Sequence, residues 1–169
     1  ASKDANGNMI LKHNFVIKPG ETVLLVDDVT VGGRKVLRAE EMVKAAGAKV
    51  LEIGAGTGRY SIALAKEGYA VNAIELVDYN LEVLRRNAGD LPGLCAQQGD
   101  ALDLSRFADN TFDVTLSLGP MYHLYEPADV HRALDEALRV TKPGGVIFAA
   151  YCGNEATMIQ YCFGRGMLK

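Results

Sequence analysis

Short apolar runs of strand length alternate along this chain with amphipathic stretches of helical length, and nothing else constrains the fold as tightly. Residues 22–29 (TVLLVDDV), 49–53, 69–76, 94–98, 112–118 and 146–151 read as strands. Between them, residues 34–46 place Val36, Ala39, Val43 and Ala46 on one stripe of a helix. Further helices are expected over residues 57–66, over 79–87 with Leu81 and Leu84 inward, and over 128–140. The last of these carries Val130, Ala133, Leu134, Ala137 and Leu138 on one face. Gly47 stops the first helix, residues 142–145 (KPGG) stop the one before the last strand, and Asn154 caps a final helix over 155–163. Strands apolar on both faces and separated by helices predict an α/β fold. The expected architecture is a mostly parallel sheet of about six strands with helices on both sides. With 169 residues, short linkers and no internal repeat, residues 1–169 are expected to form one domain.

The charge balance narrows the partners. Eighteen Lys and Arg against 21 Asp and Glu give a net charge of −3. There is no basic excess for nucleic acid, which leaves a small-molecule substrate as the expectation. Cys95, Cys152 and Cys162 form no CxxC pair and no metal spacing, so no metal is expected, and their odd number argues for reduced thiols. Residues 1–7 are polar and no stretch approaches the roughly 18 apolar residues of a membrane span, so a soluble, cytoplasmic protein is expected.

Residues 50–58 (VLEIGAGTG) carry most of the functional argument. A strand runs into a turn with glycine at every second position, and a helix follows at once. Such a turn lets a ligand approach the backbone without meeting a Cβ, and amides at a helix start can face an electron-rich group. The dinucleotide pattern G-x-G-x-x-G would need glycine at position 59, which is Arg59; the third glycine comes early, at Gly58. Glu52 lies two residues before Gly54. A carboxylate there suits a ligand with a cationic amino group better than a pyrophosphate. Glu75 ends the next strand, where a carboxylate can accept both hydroxyls of a ribose. Together these features point to a nucleoside-type ligand; the alternative is a plain strand-to-helix turn beside a solvated Glu75.

From about residue 49 to 163 the chain resembles a class I S-adenosylmethionine-dependent methyltransferase. The resemblance lies in VLEIGAGTGRYS, AIEL, QGDALDL, FDVTLSLGPMYHLYEP and ALRVTKPGG, in that order. It implies a Rossmann-like three-layer α/β/α sandwich. It also implies that Gly54, Ala55, Gly56 and Gly58, with Glu52 nearby, hold the methionine part of the cofactor. Glu75 with Leu76 would hold the ribose, and Asp100 and Ala101 the adenine. Leu118 and Gly119 would lie near the methyl-bearing sulfonium.

Methyl transfer from a sulfonium needs mainly alignment and a dry site, so no fixed triad is expected. In the loop after the strand at 112–118, His123 is the candidate general base. Tyr122 and Tyr125 are candidates to orient an acceptor. The competing reading makes His123 a hydrogen-bonded loop side chain and packs Tyr122 under the loop. His13 and His131 read as surface residues.

Ahead of the glycine turn, VLLVDDVTVGGRKVLRAEEMVKAAGAKV resembles the phosphoribosyl-pyrophosphate motif of type I phosphoribosyltransferases, within a segment of about residues 15–47. The resemblance implies that Asp27 and Asp28 hold ribose hydroxyls and that Gly32 and Gly33 with the following helix form a phosphate site. The loop departs from that family, because only Thr30 and Val31 precede the glycines where two threonines are usual. The joint resemblance implies a chimera, natural or engineered: residues 1–47 of one kind, and a truncated methyltransferase-like core over 48–169. The strand at 22–29 is then expected at the far edge of the sheet, beside 146–151. Three readings follow. They are a methyltransferase acting on an unidentified small molecule, a chimeric scaffold that binds the cofactor without turnover, and a phosphate or phosphoribosyl-pyrophosphate module. An open edge strand would allow a homodimer.

Overall fold

The computed structural model describes residues 48–151 throughout, together with the backbone of three strands at residues 2–3, 9–10 and 23–28. Strands β1 (Ser2–Lys3) and β2 (Met9–Ile10) pair antiparallel as a small ribbon. The main sheet contains β3 (Val23–Asp28), β4 (Lys49–Ile53), β5 (Ala70–Glu75), β6 (Leu94–Gln98), β7 (Phe112–Ser117) and β8 (Thr141–Tyr151). Its order is β3-β8-β7-β4-β5-β6, and every pairing is parallel. Among the described residues three helices connect the strands: α1 (Arg59–Lys66), α2 (Asp78–Ala88) and α3 (Pro127–Val140).

Alternation along each strand sends side chains to two cores. Val50, Val71, Val114 and Leu116 pack with Ala65 and Tyr69 on the α1 face, and Ala73 meets Leu84 of α2 on that same face. Leu51, Ile53, Ile74, Phe112 and Ile147 face the other way, onto Ala133, Ala137 and Val140 of α3. The central strands are therefore apolar on both sides, as the sequence pattern requires, and the result is a Rossmann-like layered α/β fold. Strand β3 pairs with β8 from Val23 opposite Val146 to Asp28 opposite Tyr151, at the far edge. Among the described residues no helix is long and apolar enough to cross a membrane.

The connection order builds the crevice. From β4 the chain moves outward to β5 and β6, then returns to the opposite side of β4 to lay down β7 and β8. The loops leaving β4 and β7 thus diverge to opposite faces of the sheet, and their carboxyl ends form a topological switch point, where open α/β sheets bind ligands.

Two boundaries differ from the sequence expectation. Helix α1 starts at Arg59 rather than residue 57, because Gly58 sits at φ 90° and keeps the backbone out of the right-handed helix. The helix ahead of KPGG ends at Val140 as expected, but the next strand does not wait until residue 146. Instead β8 begins at Thr141, and between Thr141 opposite Phe112 and Val146 opposite Val114 two steps along β7 are matched by five along β8. The buried Thr141 hydroxyl fixes the start of this bulge: it lies 2.7 Å from the Thr115 hydroxyl and 2.6 Å from the Ala137 carbonyl oxygen. Proline and glycine here shape a bulge within a strand. The helices expected over 34–46 and 155–163 lie outside the described residues.

The loop from β6 to β7 carries Asp100 and Ala101, and Arg139 of α3 clamps it. Its guanidinium donates to the carbonyl oxygens of Leu104 and Phe107 at 2.9 Å each, to Asp109 at 2.7 Å, and to both oxygens of Glu136. Glu136 in turn accepts the Leu104 N–H at 2.6 Å. The Arg139 guanidinium holds the Glu136 carboxyl below its ordinary value. Replacing Arg139 with Met should cost about 2 kcal/mol of stability in urea denaturation, as for hydrogen bonds to charged groups. An unchanged midpoint would show that the loop is held without the clamp.

Candidate functional site

Positive φ at Gly54 (71°), Gly56 (56°) and Gly58 (90°) folds the turn after β4. Gly54 and Gly58 face protein: a Cβ on Gly54 would lie 2.8 Å from Pro120 Cδ, and one on Gly58 would lie 2.8 Å from Leu84 Cγ. A Cβ on Gly56 would meet nothing within 4 Å, so the middle of the turn faces open space. The amides, however, do not all point at that space. Gly54 and Ala55 both donate to the Ile74 carbonyl oxygen, at 2.9 and 3.0 Å, and Gly58 donates to the Ala55 carbonyl oxygen at 3.0 Å. The Gly56 N–H donates to Glu75 Oε2 at 2.7 Å. These turn amides thus bind the protein itself, because a buried turn must satisfy its own donors.

Glu75 is only 6% exposed, which removes the solvated-carboxylate alternative. Besides Gly56 it accepts the Val77 N–H at 3.0 Å and the Asn80 side-chain amide at 3.5 Å, both on Oε1. A carboxylate has about four acceptor sites, two on each oxygen, so Oε2 retains one for a further donor and Oε1 gains one if the long Asn80 contact gives way. Glu52 is 2% exposed, on the α1 face of the neighbouring strand, where it accepts the Ser61 hydroxyl. Burial pushes the Glu52 carboxyl up to about 7; the Ser61 bonds offset part of that rise, and the negative Glu75 adds to it. The ion pairs among the described residues are Arg139 with Asp109 and Glu136, and Lys142 with Asp113; none reaches Glu52 or Glu75. The two buried carboxyls thus have no countercharge among the described residues, and each can accept from a cation or a hydroxyl.

Large apolar side chains stand exposed just beyond the ends of β5 and β7. Leu76, Val77 and Tyr79 follow Glu75 at 59%, 50% and 72% exposure, and Tyr122 and Tyr125 follow β7 at 37% and 86%. Of the six large hydrophobic residues exposed in the described region, Leu138 alone lies elsewhere. Gln98 donates to the Leu76 carbonyl oxygen at 3.3 Å, and Gly99 donates to that of Glu75 at 3.1 Å, which brings the end of β6 to the same rim. There Asp100 accepts the Leu102 N–H at 2.9 Å through Oδ1, and Ala101 is buried. Leu118 is half-buried and packs on the α1-side core.

Beyond Leu118 the chain makes a 3-10 turn, Pro120–Tyr122, closed by the His123 N–H donating to the Pro120 carbonyl oxygen at 2.8 Å. Tyr122 and His123 have ring centroids 4.8 Å apart at 54°, and both are exposed. Tyr122 is 37% exposed, with its hydroxyl 3.9 Å from where a Cβ on Gly119 would lie. His131 lies exposed on α3, and His13, Gly32 and Gly33 fall outside the described residues. Asp27 and Asp28 pair with Ala150 and Tyr151 at the end of β3. Among the described residues no group of three or more His, Cys, Asp or Glu is placed to hold a metal ion. A depression of about 420 Å³ lies by Leu102, Arg132 and Arg139, next along the chain from Asp100 and Ala101. The sequence reading missed Ser61 and Pro120. Ser61 was legible as a small polar residue in the first turn of an otherwise apolar helix face; nothing local marked the contact of Pro120 with Gly54.

Comparison with known proteins places this geometry in context. Residues 51–149, more than half of the chain, match the family described as "Methyltransferase domain". A demethylmenaquinone methyltransferase of Clavibacter sepedonicus is 36% identical over 145 residues, covering 77% of this chain and 57% of the relative. One from Corynebacterium urealyticum is 45% identical over 109 residues, covering 63% and 42%. The chain thus spans about half the length of the curated relatives it matches. Among solved structures, phosphoethanolamine N-methyltransferase 1 of Haemonchus contortus, in complex with phosphoethanolamine and S-adenosylhomocysteine, aligns with a TM-score of 0.56. It is 25% identical, with 60% of this chain and 22% of that chain covered.

The buried Glu52 makes stability depend on pH in a defined sense. Its folded value lies above the ordinary 4.5, so its contribution is full below 4.5 and is lost as pH rises through about 7. Without added ligand, the stability difference between the protein and its Glu52→Gln variant should shift by on the order of 3 kcal/mol between pH 4.5 and 7.5, in the direction that weakens the parent. Urea denaturation across that range measures it. Parallel pH profiles for the two proteins would place the proton elsewhere.

Proposed function

Because the chain belongs to the methyltransferase-domain family, we propose that its crevice binds S-adenosylmethionine and that the protein transfers the methyl group to a small, largely apolar acceptor. One observation carries this reading: two buried carboxylates, Glu52 and Glu75, end adjacent parallel strands beside a glycine turn whose middle is open. The residues fit the cofactor by chemistry. Glu52, at the base of the turn formed by Gly54, Ala55, Gly56 and Gly58, offers negative charge to the methionine ammonium. Glu75 offers its remaining acceptor capacity to the ribose hydroxyls. Leu76 supplies an apolar wall for the adenine, Asp100 an acceptor for its exocyclic amine, and Ala101 a backbone N–H. Leu118 and Gly119 border the space between turn and acceptor loop.

When bound, S-adenosylmethionine supplies an electrophilic methyl on a sulfonium. The chain's own part is alignment and exclusion of water. Leu76, Val77, Tyr79, Tyr122 and Tyr125 give the mouth an apolar rim that favours a hydrophobic ring over water. His123 stands at that rim to accept a proton from the acceptor, with Tyr122 orienting it. Relatives that act on demethylmenaquinone make that compound the first acceptor to test. We also assign residues 15–47 to a phosphoribosyltransferase-like segment. The parallel addition of β3 beside β8, ending in Asp27 and Asp28, supports that assignment.

Calorimetry with S-adenosylhomocysteine tests the cofactor site. Binding is expected, and Glu75→Gln should weaken it by at least about tenfold, near 1.4 kcal/mol. An unchanged affinity would show the ribose to be held elsewhere. A methyl-release assay with reduced demethylmenaquinone then separates an enzyme from a scaffold that binds without turnover.

A further inference from the structure

The geometry points to Pro120 as a positioning residue that registers the acceptor-side loop, and with it His123, against the cofactor turn. The inference rests on the proposed cofactor reading. Two backbone segments meet at the switch point with no side chain between them except one proline ring. A Cβ on Gly54 would lie 2.8 and 2.9 Å from Pro120 Cδ and Cγ, and a Cβ on Gly119 would lie 3.1 Å from the Gly54 carbonyl oxygen. Both glycines are therefore spacers for this contact.

Neither side can retreat. Gly54 and Ala55 share the Ile74 carbonyl oxygen, which holds the turn to β5. On the other side Met121, 2% exposed, anchors the 3-10 turn in the α3-side core. The Pro120 carbonyl oxygen accepts the His123 N–H, and the His123 ring lies against Tyr122. A displacement of the glycine turn thus reaches His123 through one rigid ring, whose closure fixes φ and removes the slack an open side chain would have. Close-packed contacts of this kind transmit small shifts, because the interior does not yield to them. The expected consequence is that occupancy of the cofactor turn sets the position of His123 and Tyr122 toward the acceptor.

Pro120→Ala removes the two ring carbons that touch Gly54 and leaves the Met121 anchor in place. Pro120→Val keeps γ-carbon bulk but lacks Cδ and the closed ring. With side-chain-labelled histidine in the full chain, the His123 ring resonance is assigned by its loss in His123→Gln and followed to saturation with S-adenosylhomocysteine. In the parent protein the resonance should shift on saturation. The shift should fall by more than roughly half in Pro120→Ala and in the open-chained Pro120→Val alike. A full shift in Pro120→Ala, or no response in the parent despite saturation, overturns the inference alone. Failure of S-adenosylhomocysteine to bind the parent overturns the cofactor reading as well.

Discussion

The hydrogen bond from the Gly56 N–H to the Glu75 carboxylate, 2.7 Å long, joins the turn after β4 to the end of β5. The same carboxylate accepts the N–H of Val77, the residue that caps α2. One buried anion therefore sets the glycine turn, the end of β5 and the start of α2 relative to each other. Charge-assisted bonds of this type are about twice as strong as neutral ones, and a buried carboxylate needs them to offset its desolvation. The positive φ of Gly56 aims its amide at Glu75 and at the same time leaves the Cβ position open toward the crevice. Structural and ligand-facing roles thus meet in the same two residues.

Glu52 adds the second half of the electrostatic design. It lies one strand away with the Ser61 hydroxyl as partner, and burial favours its neutral form up to about pH 7. With no ammonium or guanidinium facing the pair among the described residues, the site is mismatched whenever Glu52 ionises. A cationic ligand end resolves that mismatch, and a pyrophosphate would aggravate it. The same argument explains why the glycine spacing, with Arg59 where a dinucleotide site would carry glycine, is accompanied by an acidic rather than a neutral strand end.

Much of this was legible in the sequence. The β-α alternation prescribed the parallel sheet, Leu81 and Leu84 were correctly placed inward on α2, and the far-edge position of the strand at 22–29 followed from the neighbours already assigned to β4. Properties set by tertiary contact were not legible. The KPGG segment carries every local signal of a stop, yet the Thr115–Thr141–Ala137 hydrogen bonds draw Thr141 into β8 and turn the glycines into a bulge. The Arg139 clamp spans more than thirty positions to Leu104 and Phe107, beyond any periodicity argument. The partners of the turn amides were likewise beyond local reach: the Ile74 carbonyl oxygen that takes the Gly54 and Ala55 N–H groups belongs to another strand.

The central claim is that Glu75 serves protein and ligand together. A diffraction structure of the complex with S-adenosylhomocysteine tests it most directly. The account predicts both ribose hydroxyls within hydrogen-bond distance of the Glu75 carboxylate while the Gly56 N–H bond persists, with the amino-acid end lying over the turn toward Glu52. A ligand whose sugar contacts other residues, or a Glu75 side chain that abandons Gly56 to reach it, would contradict the account.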